Sequence, residues 1–221
     1  MPDPYRVALY YAPESADPLW TRGNSWLGRD PAQNIALPQP DIDGIFAATT
    51  DPRRYGFHCT VKPPMRLRGS FSAFLADATA FAAAQQPFTL PALRVASFGR
   101  YIALGLAAPS PEMHALADGC VAELDPHRLP EDPAAKTKRA AGRTASELRN
   151  LERWGYPLVM EDWRFHMTLS NALEPNFLAA SAATYFADVL GTPRQVSSLA
   201  VYVEMEKSTP FQLVKRLAFS K

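Results

Sequence analysis

Apolar and polar positions along the chain alternate between strand-like and helix-like periods. Residues 5–11, YRVALYY, are a run of β-branched and aromatic types and predict an opening strand. Proline, aspartate and glycine then punctuate 12–56, leaving room for short helices over 16–27 and 41–48. GFHCTVK (56–62) reads as a strand ended by Pro63 and Pro64. SFSAFLADATAFAAAQ (70–85) reads as a helix capped by Ser70 or Ser72, and LRVASFGRYIALGLA (93–107) as two strands turning near Gly99. SPEMHALADGCVAELD (110–125) predicts a second helix, with a serine start and proline in its first turn. The prolines of 126–135 predict a loop, and 136–153 a basic helix. WRFHMTLS (163–170) reads as a strand, 174–190 as an alanine-rich helix, and 195–204 and 210–219 as a closing strand pair.

An order of elements recurs: a strand carrying His-x-Thr, then a helix, then two strands, once in each half. The interval from His58 to the following strand pair is 35 residues, and from His166 it is 31. Sequence identity between the halves is low, so the repeat is one of pattern. The pattern favours an α+β fold of two similar antiparallel sheets facing each other, a single unit over 1–221 with halves near 1–108 and 109–221.

Composition narrows the function classes. With 47% hydrophobic residues the chain can bury a core, and 21 prolines against 11 glycines argue against a helical bundle. A net charge of +1 gives no global field for nucleic acid or anionic membrane, so phosphate binding has to be local. The two cysteines, Cys59 and Cys120, form no CxxC and no disulfide framework. The start of the chain lacks the pattern of a signal peptide, and no apolar stretch is long enough to span a bilayer. The expectation is a soluble cytoplasmic protein.

Two of the four histidines share one setting: Phe57-His58-Cys59-Thr60-Val61 and Phe165-His166-Met167-Thr168-Leu169. Threonine fills 12 of 221 positions, so chance puts one two places after a given histidine about one time in twenty. Twice, with matching phenylalanines, is a signal. On a strand, residues i and i+2 share a face, so His58 joins Thr60 and His166 joins Thr168, while Phe57, Cys59 and Val61 face the other way. If the strands lie side by side, two imidazoles and two hydroxyls converge. One neutral imidazole can take a proton from an attacking oxygen while a protonated one supplies the leaving oxygen. The hydroxyls suit the non-bridging oxygens of a phosphodiester. Strict alternation also carries Lys62 onto the first of these faces and Arg164 and Ser170 onto the second, as substrate-binding candidates.

GFHCTVKPP and RFHMTLS, about a hundred residues apart, resemble the paired HxT motifs of the 2H phosphoesterase superfamily. The opening YRVALYYAP, the segment LWTRGNSWLGRD and the form RYGFHCTVKPP resemble a branch found with phosphonate-utilisation genes. The resemblance covers nearly the whole chain. It implies a bilobal fold with the motifs lining a central cleft and helices outside. It also implies chemistry on cyclic phosphates or 2′,5′-linked phosphodiesters without metal or organic cofactor. His58, Thr60, His166 and Thr168 are then the catalytic set. The pathway context points to a small phosphorylated substrate, such as a cyclic phosphate of ribose.

Other readings compete. A histidine beside phenylalanine is commonly a packing residue, but that reading must be invoked twice here. Metal binding by the histidines lacks HExxH, a third ligand or a carboxylate cluster in sequence. Cys59 as nucleophile is set against by alternation, which turns it into the core. Lys136, Lys138, Arg139, Arg143, Arg149 and Arg153 form either a solvated face or a cover that binds phosphate or RNA at the cleft mouth. Trp20, Trp26, Trp154 and Trp163 either pack or stack a base. A non-catalytic phosphometabolite- or RNA-end-binding module and a 2′,5′-type RNA ligase or RNA-end processing enzyme are the alternatives to a phosphoesterase. No P-loop, dinucleotide fingerprint or GxSxG is present.

Overall fold

The computed structural model describes residues 2–173 and 177–220. Its strands are β1 (Arg6–Tyr11), β2 (Arg29–Asp30), β3 (Ile35–Ala36), β4 (Cys59–Met65), β5 (Phe88–Leu90), β6 (Leu93–Phe98), β7 (Tyr101–Leu106), β8 (Met167–Thr168), β9 (Arg194–Val196), β10 (Ser198–Glu204) and β11 (Gln212–Ala218). The helices are α1 (Pro18–Leu27), α2 (Ile45–Ala48), α3 (Thr50–Tyr55), α4 (Phe71–Ala83), α5 (Pro111–Glu123), α6 (Pro133–Ala140), α7 (Ala145–Trp154) and α8 (Leu178–Leu190).

Seven strands form one sheet in the order β11-β10-β1-β4-β8-β7-β6, with every neighbouring pair antiparallel. The expectation of two facing sheets is therefore corrected: the strands of both motifs belong to one sheet and meet between β4 and β8, at Cys59 opposite Met167. The halves of the chain are also interleaved. The hairpin β6–β7, which follows the first motif, pairs beside β8 of the second. The hairpin β10–β11, which follows the second, pairs beside β1 of the first half, which in turn pairs with β4. Each flank of the sheet thus draws on both sequence halves.

Alternation along the strands makes two different faces. Val7, Leu9, Tyr11, Cys59, Val61, Ile102, Leu104, Met167, Leu199 and Val201 point into the main core beneath the helices, where α5 packs on β4, α8 on β6 and α4 on β11. The opposite face carries a small cluster around Ala8, Tyr10, Ala200, Tyr202 and Phe211. This second face holds the site.

Several local boundaries have plain causes. Ser70 caps α4 by accepting from the Ala73 N–H at 3.2 Å, and Ser110 caps α5 through the Met113 N–H. The β6–β7 turn uses Gly99 at φ +62°, as expected. The basic segment splits into α6 and α7, because Gly142 sits at φ +72° and Thr144 opens α7 with a capping box to Glu147. Pro133 starts α6 as its first residue, capped by Asp132, where a loop was expected. Pro63 and Pro64 do not end β4, which runs on to Met65; β8 spans only two residues, so their missing N–H groups break no ladder on that side. The strand expected over 163–170 contracts to Met167–Thr168. The helix expected from residue 174 runs over Leu178–Leu190, and 174–176 lie outside the described residues.

Candidate active site

β4 and β8 bring the two motifs together. With Cys59 opposite Met167, one antiparallel step to either side places His58 across from Thr168 and Thr60 across from His166. Phe57, Cys59, Val61, Phe165, Met167 and Leu169 are all buried, which fixes the histidines and threonines on the other face. Two tryptophans brace the arrangement: the Trp163 indole donates to the Thr60 carbonyl at 2.9 Å, and that of Trp26 to the Leu169 carbonyl at 2.8 Å. Trp20, Trp26 and Trp163 are buried and serve as packing residues.

The two imidazoles are held by the same device. His58 Nδ1 donates to the Gly56 carbonyl at 2.8 Å, and His166 Nδ1 to the Arg164 carbonyl, also at 2.8 Å. A carbonyl can only accept, so each Nδ1 carries hydrogen, and in the neutral ring Nε2 bears the lone pair. Thr60 Oγ1 stands 3.2 Å from His58 Nε2. Gly56 presents its carbonyl from φ +81°, and a Cβ there would meet the Pro31 ring at 2.9 Å. The His58 ring stacks on Tyr10, and the His166 ring leans against Phe98 and Tyr101.

Burial disfavours the imidazolium at both positions. It pushes His58 down to about 3, with the nearby His166 adding to the fall, and it lowers His166 as well. Both rings are neutral in the free protein at neutral pH. An anion in the site restores proton affinity, so one imidazole is poised to become charged when a phosphate is bound.

His58, Thr60, Thr168 and Ser170 line a cavity of about 380 Å³, within the ~300–1,000 Å³ range of small-molecule sites. Ser170 is buried; its Oγ donates to the Asn171 carbonyl at 2.8 Å and accepts from the Ile102 N–H at 3.1 Å. His166 is not in that lining but leans on Tyr101, which is, and two further candidates lie elsewhere. Lys62 is not on the His58 face. β4 bulges at Val61, so that Thr60 faces Tyr10 while Lys62 faces Leu9, and the extra residue reverses the alternation. Its Nζ is buried and donates to the Val121 carbonyl of α5 at 3.0 Å, and burial lowers it to about 8. Arg164 is exposed and turns back to the carbonyls of Glu161 and Trp163, outside the cavity lining. Cys59 is buried with its thiol pushed up to about 12 by burial, which suits packing rather than nucleophilic attack.

The cavity also gathers residues that sequence reasoning missed: Arg6, Tyr10, Tyr55, Tyr101 and Tyr156, with Arg139 from the basic segment. The rest of that segment behaves as a solvated face. Lys136 pairs with Glu152 at 2.5 Å, Arg143 with Glu147 at 3.3 Å and Arg149 with Glu161 at 3.8 Å. Among the described residues, no group of three or more His, Cys, Asp or Glu side chains is placed to hold a metal ion, and no helix is long and apolar enough to cross a membrane.

Comparison with known proteins sets this geometry beside its relatives. The chain is 37% identical over 230 residues to ribose 1,5-bisphosphate phosphokinase PhnN of Janthinobacterium sp. (strain Marseille), a match covering 97% of this chain and 51% of that protein. The chain spans about half the length of the curated relatives it matches. Among solved structures it is similar to a phosphoesterase at TM-score 0.47 and 14% identity, covering 99% of this chain and 100% of the other. It is also similar to E. coli LigT complexed with 3′-AMP, at TM-score 0.45 and 14% identity over 99% and 100% of the two chains. Residues 60–212 match the model of the family described as "Protein of unknown function (DUF1045)", and the chain belongs to that family.

Proposed function

We propose that the protein is a phosphoesterase that opens a cyclic phosphate, or cleaves a small phosphodiester, by two-histidine general acid–base catalysis without metal or organic cofactor. One observation carries the reading: each HxT histidine has Nδ1 tied to the carbonyl two residues before it, leaving Nε2 as the working nitrogen, and the pair sits across β4 and β8 with the threonines alongside. Nε2 of the neutral ring takes a proton from water as its oxygen attacks phosphorus. The protonated ring gives a proton to the leaving sugar oxygen as the P–O bond breaks. Thr60 and Thr168 donate to the non-bridging oxygens as charge gathers there. The stronger lowering at His58 favours it as the base and His166 as the acid.

The substrate class follows from the relative's name together with this chemistry. Hydrolysis of a cyclic phosphate spanning O1 and a neighbouring hydroxyl of ribose 5-phosphate, with phosphorus retained on O1, yields ribose 1,5-bisphosphate, the compound in that name. The chain has no GxxxxGK[ST] loop, so the phosphokinase activity is assigned to the part of the relatives that this chain does not span. The whole chain then works as one unit around the cavity, in phosphonate metabolism and in the cytoplasm.

The test is phosphorus NMR in EDTA over nucleoside 2′,3′-cyclic phosphates and ribose cyclic phosphates, with wild type beside His58→Ala and His166→Ala. Ring opening that falls at least ~10²-fold in each variant supports the mechanism. Phosphate binding without turnover by folded wild type moves the protein to the binding-module class, and near-normal activity in either variant removes the two-histidine mechanism.

A further inference from the structure

Beyond His58, Thr60 and Thr168, the same cavity reaches two guanidiniums, those of Arg6 and Arg139. Arg6 lies on β1 four residues before Tyr10, hence on the same face and about 13 Å along the strand. Its guanidinium shares the Glu204 carboxylate with that of Arg54, so two cations balance one buried anion and a positive charge is left over. Tyr55 lines the same cavity as Arg6. From the other side α6 delivers Arg139, whose guanidinium pairs with Glu131 at 2.6 Å and lies over the Tyr156 ring, 5.2 Å from its centroid. Burial raises the Tyr156 hydroxyl, which keeps it a donor at neutral pH. The carboxylate residue in the lining, Asp51, is held beside Asn171 by its own N–H.

Two guanidiniums and two phenol donors around one end of a cavity match a tetrahedral dianion. The scissile phosphate has its own partners in the same cavity, His58, Thr60 and Thr168, so these groups are free for a second anion. We propose that Arg6, Arg139, Tyr55 and Tyr156 form a second anion subsite that holds a terminal phosphomonoester of the substrate, so that the enzyme selects cyclic phosphates bearing a second phosphate. This rests on the phosphoesterase reading for its catalytic consequence, but not for its binding.

The experiment compares ribose cyclic phosphates with and without a 5-phosphate, in wild type, Arg139→Gln and Tyr156→Phe, and titrates ribose 5-phosphate and ribose into each by calorimetry. Loss of one charged hydrogen-bonding group is expected to lower kcat/KM on the 5-phosphorylated substrate roughly 10- to 100-fold. The unphosphorylated substrate should be nearly unaffected, and affinity for ribose 5-phosphate should fall in parallel. Equal losses on both substrates, or none on either, overturn the subsite. If wild type turns over neither, the phosphoesterase reading fails, and the titrations alone decide: weaker ribose 5-phosphate binding in Arg139→Gln supports the subsite, and equal wild-type affinity for ribose and ribose 5-phosphate overturns it.

Discussion

The imidazole of His58 lies flat on the phenol ring of Tyr10, with centroids 3.6 Å apart and planes 18° from parallel. Tyr10 is itself packed in place: it is fully buried, pairs with Thr60 in the β1–β4 register, and is backed by Tyr202 at 4.9 Å. His58 is therefore fixed in two directions, by the Gly56 carbonyl at its Nδ1 edge and by Tyr10 at its face. Tyr10 acts as a positioning residue. Its contribution is to limit the ring's rotation about the Nδ1 hydrogen bond.

Replacing Tyr10 by leucine removes that wall. A reacting group displaced by about 1 Å can cost on the order of 10²-fold in rate, so Tyr10→Leu should lower kcat roughly 10- to 100-fold with KM little changed. Tyr10→Phe keeps the stacked ring and should stay close to wild type. Steady-state kinetics on the two variants check this, with circular dichroism to confirm folding. A loss that Tyr10→Phe does not rescue would assign the effect to the hydroxyl instead.

The two lowered histidines set the pH dependence. With His58 at about 3 it stays unprotonated across the working range, so the falling limb of kcat/KM belongs to the loss of the His166 proton. Since burial lowers His166 from 6.5 in the free protein, kcat/KM should fall as pH rises, with its midpoint at or below 6.5. A bound anionic substrate raises the same group, so the corresponding limb of kcat should lie at higher pH. A pH–rate series read for both parameters checks the order; a kcat/KM limb above that of kcat contradicts it.

What the sequence could convey here was set by how local the physics is. The HxT signal was readable because strand parity acts over two residues, and the burial of Phe57, Cys59 and Val61 follows the same rule. Parity failed one residue later, at Lys62, because the bulge at Val61 is a property of pairing with β1 and leaves no mark in β4's own residues. The interleaving of hairpins was hidden for a similar reason, since strand order depends on long-range partners. In sequence Tyr10 and Arg6 are only members of an opening strand, and Arg139 fits either a solvated face or a cover at the cleft mouth; the fold joins them in one cavity. The phrase RYGF before the first motif did contain a usable hint: Gly56 is needed for its backbone conformation, and Tyr55 beside it lines the site.

Lys62 gives a direct test of the corrected placement. Its ammonium is buried against α5 and held down to about 8 from 10.5, so at neutral pH the fold carries a charge that burial disfavours. Between those two values the unfolded chain binds the extra proton, and stability should rise with pH; below about 8 the stabilisation is absent. Lys62→Met preserves the stem's packing and removes the charge. It should leave kcat and KM unchanged and raise stability, by up to about 1 kcal/mol, at pH 7. Chemical denaturation and steady-state kinetics check both halves, and a large rise in KM would return Lys62 to the site.

Glu204 is the anchor of the cavity's cationic end. Burial alone would raise its carboxyl, but hydrogen bonds and charge from Arg6, with Arg54 and the Ser208 N–H, outweigh that and hold it below 4.5. Because its folded value lies below its unfolded one, its stabilisation is complete above about 4.5 and is lost as pH falls through the folded value. Glu204→Gln leaves Arg6 and Arg54 facing each other without a counter-charge. Breaking a buried ion pair costs about 3–5 kcal/mol, which for a chain of this size is roughly 6–20 °C in Tm. The variant should melt lower than wild type by that amount at pH 7, and the gap should narrow as pH falls through the folded value of Glu204, where wild type loses the same interaction by protonation. Arg6 is displaced along with its partner, so the KM for a substrate carrying a second phosphate should rise. A Glu204→Gln protein that melts with wild type at pH 7 would mean that the carboxylate's charge is not what holds Arg6 and Arg54.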